Sequence, residues 1–219
     1  MTYIDVFEYI GVAAFAICGA MAGIDRGADI FGVLFVAVIT ALGGGVIRDM
    51  MLGHLPPRMF SSFTYIGVAL VCGLLVFLDA YIRTEKYRLH QAELDSLVNI
   101  FDALGLAVFT VTGMDLAIAQ CALENPVLLV LLGMTTGVGG GMVRDVLIDV
   151  MPAVLRKRIY AVASMAGGIV YYVLLRLGVA GFLSAMVALA VIFVLRILAT
   201  VYKWHLPKVK QQKKRRNSH

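Results

Sequence analysis

Charge is scarce in this sequence. Asp, Glu, Lys and Arg make up 15% of the 219 residues, against about 25% in an ordinary soluble domain. Hydrophobic residues take 61% of the positions, more than so few charges could keep in water, so a soluble globular domain is excluded. The three cysteines, Cys18, Cys72 and Cys121, are scattered and form no CxxC pair, so neither a disulfide framework nor a zinc site follows. Cys18 and Cys72 sit in apolar runs and read as small packing residues. No Lys or Arg precedes the first apolar run, which carries Asp5 and Glu8 instead. Without a basic n-region it is not a signal peptide, and it is expected to persist as a helix. No GxxxxGK[ST] motif is present, which argues against direct ATP drive. His54 and His90 fall in loops, and His205 and His219 in the tail. They form no metal cluster and no acid–base constellation, so no metal, cofactor or enzyme activity is expected.

What is abundant is hydrophobic sequence in long runs. Spans are predicted at 6–24, 30–52, 64–82, 97–119, 126–150, 159–176 and 180–202, each near the ~20 residues a helix needs to cross hydrocarbon. The breaks carry turn or charge signals: Asp25-Arg26-Gly27, His54 to Arg58, the polar stretch 83–96, Glu124-Asn125-Pro126, Arg156-Lys157-Arg158 and Gly178. The expected class is an all-α membrane protein of seven transmembrane helices with the lipid bilayer as its first partner. Arg26, Arg83, Lys86, Arg88, Arg156, Lys157, Arg158 and the tail residues Lys208, Lys210, Lys213, Lys214, Arg215 and Arg216 collect on one side, leaving Arg58 and Arg176 on the other. The positive-inside tendency makes the first side cytoplasmic, with the N-terminus outside and the C-terminus inside. The net charge of +5 owes much to this tail, which reads as a solvated segment beside anionic headgroups and not as a nucleic-acid patch.

The chain repeats itself at a spacing of 94 to 96 residues. Phe7 to Phe15 (FEYIGVAAF) matches Phe101 to Phe109 (FDALGLAVF), and Gly19 answers Gly113. After a two-residue insertion, GGGVIRD at Gly43 to Asp49 matches GGGMVRD at Gly139 to Asp145, and Pro56 answers Pro152. Each copy holds three spans, so the second must enter the bilayer from the opposite side. The predicted organisation is a three-helix repeat over 1–92, an inverted three-helix repeat over 93–178, a seventh transmembrane helix over 179–203 and a basic cytoplasmic tail over 204–219. Inverted repeats of this kind are a common transporter architecture, with the substrate path between the halves.

The GGGxxRD motif is the candidate site: Gly43, Gly44, Gly45, Arg48 and Asp49 in one half, Gly139, Gly140, Gly141, Arg144 and Asp145 in the other. Two readings of the triplets are open. Glycine costs about 1 kcal/mol relative to alanine in a helix interior, so three in a row can break the helix and leave carbonyls and a half-helix N-terminus for an ammonium and a carboxylate. Alternatively, the glycines permit close helix–helix contact. A central Arg or Asp costs about 2.5–3.5 kcal/mol on insertion scales, so the four charges are expected to face protein, a cavity or headgroups. Adjacent side chains diverge around a helix, so Arg48–Asp49 is not expected to be a self-contained pair; Glu8 and Asp102, themselves related by the repeat, are the candidate ion-pair partners. The arginines either take part in transport or only brace the scaffold. Thr110, Thr112, Asp115, Thr40, Thr135 and Thr136 are weaker path-lining candidates, since hydroxyls in membrane helices commonly bond to backbone.

These residues resemble a family. Two copies of GGGxxRD in a seven-span, N-outside chain resemble the duplicated-domain glycine transporters of bacterial inner membranes, which are distantly similar to the trimeric intracellular cation (TRIC) channels. The resemblance covers about residues 6–200. It implies a TRIC-like fold with kinks at the glycine triplets of spans two and five, a homotrimer with a path in each protomer, and transport of glycine or a similar small amino acid. The alternative function is a passive channel for a monovalent cation such as potassium. The cation channels carry basic residues near the corresponding kinks; here each Arg is followed by Asp, which departs from that pattern.

Overall fold

The computed structural model describes residues 2–83, 91–121, 124–156 and 159–204. The basic tail, Lys86, Arg88, His90, Lys157, Arg158, His205 and His219 lie outside the described residues, and with them most of the charges on which the expected orientation rests. The helices are α1 (Tyr3–Asp25), α2 (Ile30–Met51), α3 (Arg58–Ser61), α4 (Phe63–Ile82), α5 (Gln91–Cys121), α6 (Pro126–Leu147), α7 (Ala153–Arg156), α8 (Tyr160–Arg176) and α9 (Gly181–Val201). Six of them, α1, α2, α4, α5, α6 and α9, are long and apolar enough to cross a membrane, and α8 is a shorter apolar helix of 17 residues.

Local chemistry sets the ends. At the start of α1, Thr2 and Asp5 form a reciprocal capping box: the Asp5 N–H donates to Thr2 Oγ1 at 3.3 Å and the Thr2 N–H to Asp5 Oδ2 at 2.7 Å. Asp29 accepts the Gly32 N–H at 2.7 Å to start α2, and Asn125 accepts the Leu128 N–H at 3.1 Å to start α6 just before Pro126. After α2 the chain turns through Gly53 at φ 76°, and after α6 through Asp149, 96 residues on, at φ 55°. That left-handed turn is why the fifth span, expected to reach residue 150, stops at Leu147. Each turn leads into a one-turn helix, α3 or α7, which the hydrophobic pattern did not predict because four residues are too few to show a period.

Packing divides into two cores. Val12, Phe15, Ala16, Ala37, Ala41 and Leu42 anchor one among α1, α2 and α4, and Leu106, Val111, Met114, Leu132, Tyr171 and Ile192 anchor the other among α5, α6, α8 and α9. The first core joins the second where α1 packs on α5 and α2 packs on α6. The outer faces are apolar: Val71, Leu75, Tyr81 and Ile82 of α4, and Phe182, Leu183 and Val194 of α9, are exposed. An aqueous surface does not tolerate such contiguous apolar faces, whereas hydrocarbon does.

Candidate functional site

The two glycine triplets meet at the crossing of α2 and α6. A Cβ on Gly44 would overlap the Thr136 carbonyl oxygen, and a Cβ on Gly140 would overlap the Thr40 carbonyl oxygen. Residues 40 and 44 thus face 140 and 136 in reversed order, so the two helices run antiparallel through the contact. Both helices continue unbroken through their triplets. The break weighed from the sequence is not formed: no half-helix N-terminus and no run of freed carbonyls opens there. Close approach is the reading the structure shows, since only a residue without a side chain lets one backbone rest on the other.

The centre beside this crossing is filled. The Phe15 and Phe109 rings stack at 5.3 Å between centroids with an interplanar angle of 27°, and both are fully buried. Gly11 and Gly105 make room for this pair: a Cβ on Gly11 would lie 3.1 Å from the Phe109 ring, and one on Gly105 would run into the Phe15 ring. Thr40 and Thr136 back-bond to the Val36 and Leu132 carbonyls at 2.6 Å, with their hydroxyls against Gly19 and Gly113. Every one of these contacts is matched by its counterpart 94 or 96 residues away.

Beyond the crossing on each side lies a buried ionic cluster. In the first, Arg48 Nη1 donates to Glu8 Oε1 at 3.1 Å and Arg48 Nε to Asp49 Oδ1 at 2.8 Å. The Tyr65 hydroxyl donates to Glu8 Oε2 at 2.8 Å, and the Arg58 N–H, which begins α3, donates to Asp49 Oδ2 at 2.8 Å. In the second, Arg144 Nη1 donates to Asp102 Oδ1 at 3.1 Å and Arg144 Nε to Asp145 Oδ1 at 2.9 Å. The Tyr160 hydroxyl donates to Asp102 Oδ1 at 3.2 Å, and the Ala153 N–H, which begins α7, donates to Asp145 Oδ2 at 2.6 Å. Arg48 is 0% exposed and Arg144 5%, so each guanidinium depends on its carboxylates for charge compensation. Arg48 and Asp49 do touch, contrary to the expectation that neighbours diverge: the long Arg side chain folds back to its own neighbour while also reaching Glu8 on α1. Arg48 and Arg144 both occupy the last turn of their helices, where a cation faces the negative end of the helix dipole.

The clusters contain residues the sequence reading missed. Tyr65 and Tyr160 fill matching places but stand 95 residues apart, one short of the offset that relates Pro56 to Pro152, so extending the ungapped alignment past Pro56 would have paired Tyr65 with Ala161 instead. Arg196 of α9 is a buried charge in the middle of the last apolar run, a costly placement that is itself a signal. Its Nη2 lies 3.4 Å from Asp102 Oδ2, and its guanidinium carbon sits 4.5 Å from the Tyr160 ring centroid. Cys18 accepts from Arg144 Nη1 at 2.9 Å. Among the weaker candidates, Thr110 bonds to Leu106 O and Ser164 Oγ, both at 2.7 Å, Thr135 bonds to Leu132 O at 3.1 Å, and Asp115 accepts from the Tyr171 hydroxyl at 2.8 Å. Thr112 is fully buried and its hydroxyl has no hydrogen-bond partner among the described residues.

The glycine-transporter family model matches the chain in two stretches, residues 5–80 and 99–176, each containing one GGGxxRD motif. The chain is 37% identical over 205 residues to the UPF0126 inner membrane protein YadS of Escherichia coli (strain K12), covering 91% of each. Among solved structures it is similar to a prokaryotic TRIC channel at 34% identity and a TM-score of 0.83, covering 93% of this chain and 98% of that one. It is likewise similar to the TRIC orthologue from Rhodobacter sphaeroides, at 28% identity and a TM-score of 0.82, over 93% of this chain and the whole of the other.

Proposed function

The chain belongs to the glycine-transporter family, and on that premise we propose that it carries a small solute, glycine or a similar small amino acid, across the bacterial inner membrane. One observation carries the reading: two matched Arg–carboxylate clusters, buried from lipid, flank a central constriction made of glycine backbone and a stacked Phe pair. A chain that keeps seven ionisable groups buried in two clusters bears a large desolvation cost, which a transport route needing both charge signs offsets. A glycine zwitterion presents a carboxylate to arginine and an ammonium to Glu8 or Asp102, and it is small enough for a gap bounded by Cα hydrogens.

The architecture we propose is seven spans, with α1, α2 and α4 repeated as α5, α6 and α8 in inverted orientation and α9 added. The antiparallel α2–α6 contact supports the inversion. The path runs between α2 and α6, within each protomer of a homotrimer, with the N-terminus outside and no enzymatic step. The trimer is carried over from the trimeric TRIC orthologue that this fold resembles. That likeness also supports a second reading, a channel for a monovalent cation, in which Arg48 and Arg144 brace the path and bind no solute.

Uptake of radiolabelled glycine into liposomes tests both, with wild type beside an Arg48→Ala/Arg144→Ala double variant shown to be monodisperse. Saturable uptake by the wild type, lost in the variant, is the expected result. Equal uptake by the two removes the site assignment, and unitary potassium conductance without glycine uptake replaces the carrier with the channel.

A further inference from the structure

The buried carboxylates are met by arginine: Glu8 and Asp49 by Arg48, Asp102 and Asp145 by Arg144. Asp115 of α5 is half-buried and forms no ion pair among the described residues. Its partners are hydroxyls. Tyr171 of α8, itself fully buried, donates to Asp115 Oδ1 at 2.8 Å, and the Tyr3 hydroxyl at the start of α1 is hydrogen-bonded to that of Tyr171. A phenol has one proton to give, and Tyr171 gives its own to Asp115, so Tyr3 is the donor between the two hydroxyls. A directed chain therefore runs from Tyr3 through Tyr171 to Asp115, across α1, α8 and α5. The start of α9 closes on it, since a Cβ on Gly181 would lie 2.8 Å from the Tyr3 hydroxyl oxygen.

This chain is found at one end of the molecule only. By the offsets that relate Glu8 to Asp102 and Tyr65 to Tyr160, its members answer to Leu97, Val76 and Met21 in the other half, all apolar. The arginine clusters and the crossing are duplicated, whereas this acid is not. It lies at the end where α1 begins, with the Glu8–Arg48 cluster, and the Glu8 charge acts on Asp115. The helices packed on α5 are α1, α6, α8 and α9. At this end α1 brings Tyr3 and Glu8, and α8 brings Tyr171 and, beyond it, Arg176, which lies over the Tyr172 ring at 5.4 Å. The first turns of α6 and α9 bring no ionisable side chain. A paired carboxylate is held in its charged form by its arginine; Asp115, without one, is placed to change charge. Ionisable groups inside membrane bundles that are not paired off commonly serve proton relays.

We propose that Asp115 is the binding site of a proton that moves with the solute, loaded through Tyr3 and Tyr171 from the face where α1 begins. The transfers balance. The incoming proton binds the Tyr3 oxygen, the Tyr3 proton passes to the Tyr171 oxygen, and the Tyr171 proton passes to Asp115 Oδ1. Each O–H bond broken is replaced by one formed, and nothing is oxidised or reduced. The neutral acid no longer repels Glu8, which holds Arg48 at 3.1 Å. Proton binding and the closure of the first cluster are thereby linked, and the linkage is reciprocal: opening the cluster changes the proton affinity by the factor that protonation changes the opening. The coupling rests on the transport reading; the proton site does not, and the two are measured apart.

The test has a flux arm and a flux-free arm, both on the purified full-length protein. In liposomes one unit of pH more acid outside, with the membrane potential held at zero by valinomycin in symmetric potassium, the wild type should accumulate labelled glycine toward about tenfold, the ratio that one proton per solute sustains. Asp115→Asn keeps an oxygen for the Tyr171 hydroxyl but binds no proton, so the glycine it admits should not exceed the outer concentration, and Asp115→Glu should restore accumulation. In the flux-free arm, infrared difference spectra between acid and alkaline pH should show a carboxyl C=O band that Asp115→Asn lacks and whose pH midpoint moves in Tyr171→Phe. Accumulation retained by Asp115→Asn, or counterflow by the wild type without accumulation, overturns the coupling. A wild type with neither counterflow nor accumulation fails the transport reading instead, and the infrared arm still judges the proton site. No band lost in Asp115→Asn overturns that site. Should Asp115→Asn fail to fold, a midpoint unmoved in both Asp115→Glu and Tyr171→Phe does the same.

Discussion

Replacing the glycines of one triplet singly by alanine separates the two roles a GGG run can have. If the triplet served to break the helix, all three positions would act alike, each gaining up to about 1 kcal/mol of helix propensity with alanine. The geometry predicts different signs at adjacent positions. At Gly43 a methyl would lie 3.5 Å from the Gly140 Cα and 3.9 Å from Val143 Cγ2, ordinary contact distances, so Gly43→Ala should be neutral or stabilising by up to about 1 kcal/mol. At Gly44 the methyl falls on the Thr136 carbonyl, with the Gly140 nitrogen at 3.4 Å behind it. Backbone cannot swing aside as a side chain can, so α2 and α6 must separate along their crossing. Overpacking of this kind costs about 1–3 kcal/mol, and the net after the propensity gain remains unfavourable. Gly45 is intermediate, because the atoms it would meet, Met59 Cε at 2.7 Å and Cγ at 2.8 Å, belong to a flexible side chain. Thermal unfolding in detergent, with glycine uptake measured on the same preparations, reads the order Gly43→Ala above Gly45→Ala above Gly44→Ala. Gly140→Ala should repeat the Gly44→Ala loss. Equal stability for Gly43→Ala and Gly44→Ala would refute the close-approach account.

Arg48→Gln leaves Glu8 and Asp49 buried together without a cation, and should cost about 3–5 kcal/mol, seen as a lower melting temperature. Adding Glu8→Gln to it should recover part of that loss, so that a double-mutant cycle returns a coupling well above the error of the measurement. Tyr65→Phe removes the 2.8 Å hydrogen bond to Glu8 Oε2 and should destabilise by about 1.5–3 kcal/mol, the range for bonds to charged acceptors. Gly67→Ala on α4 meets no atom within 4 Å and should raise the melting temperature through propensity, by up to about 1 kcal/mol. A loss there would show that this face is covered by something outside the protomer.

The spans were legible because hydrocarbon imposes a length on them. The structure moves most of their limits by only a few residues, and the large shifts have local causes. The left-handed turn at Asp149 ends α6 early, and α5 begins at Gln91, inside what reads as a polar stretch. The repeat made Glu8, Arg48, Asp49 and their counterparts visible as matched charges, since charge at membrane depth is expensive enough to stand out. What a single sequence could not show was how they touch. Whether glycines break a helix or let two helices meet depends on what faces them, and Thr136 is 92 residues from Gly44. The carboxylates of Asp49 and Asp145 cap α3 and α7, one-turn helices too short to leave a pattern. Arg196 escaped because it lies outside the repeat that organised the reading, although its cost in a bilayer marks it as plainly as Arg48.

The same geometry constrains how transport can proceed. On the proposed path, a solute passing the crossing would have to displace the Phe15–Phe109 stack, part the α2–α6 backbone contact and loosen an ionic cluster on either side. Breaking one buried cluster costs several kcal/mol; opening both at once would cost about twice that and populate an open conduit only rarely. Opening them in turn holds the barrier to one cluster at a time, with the other still closed. A solute that supplies its own carboxylate and ammonium lowers each opening by replacing the partner it displaces, which a bare cation can do for only one charge sign. The pairing of clusters thus favours stepwise, solute-dependent opening, and the kinetic mark of that regime is counterflow. External glycine should accelerate efflux of labelled glycine from preloaded liposomes, whereas an open conduit would show efflux independent of the outer solution.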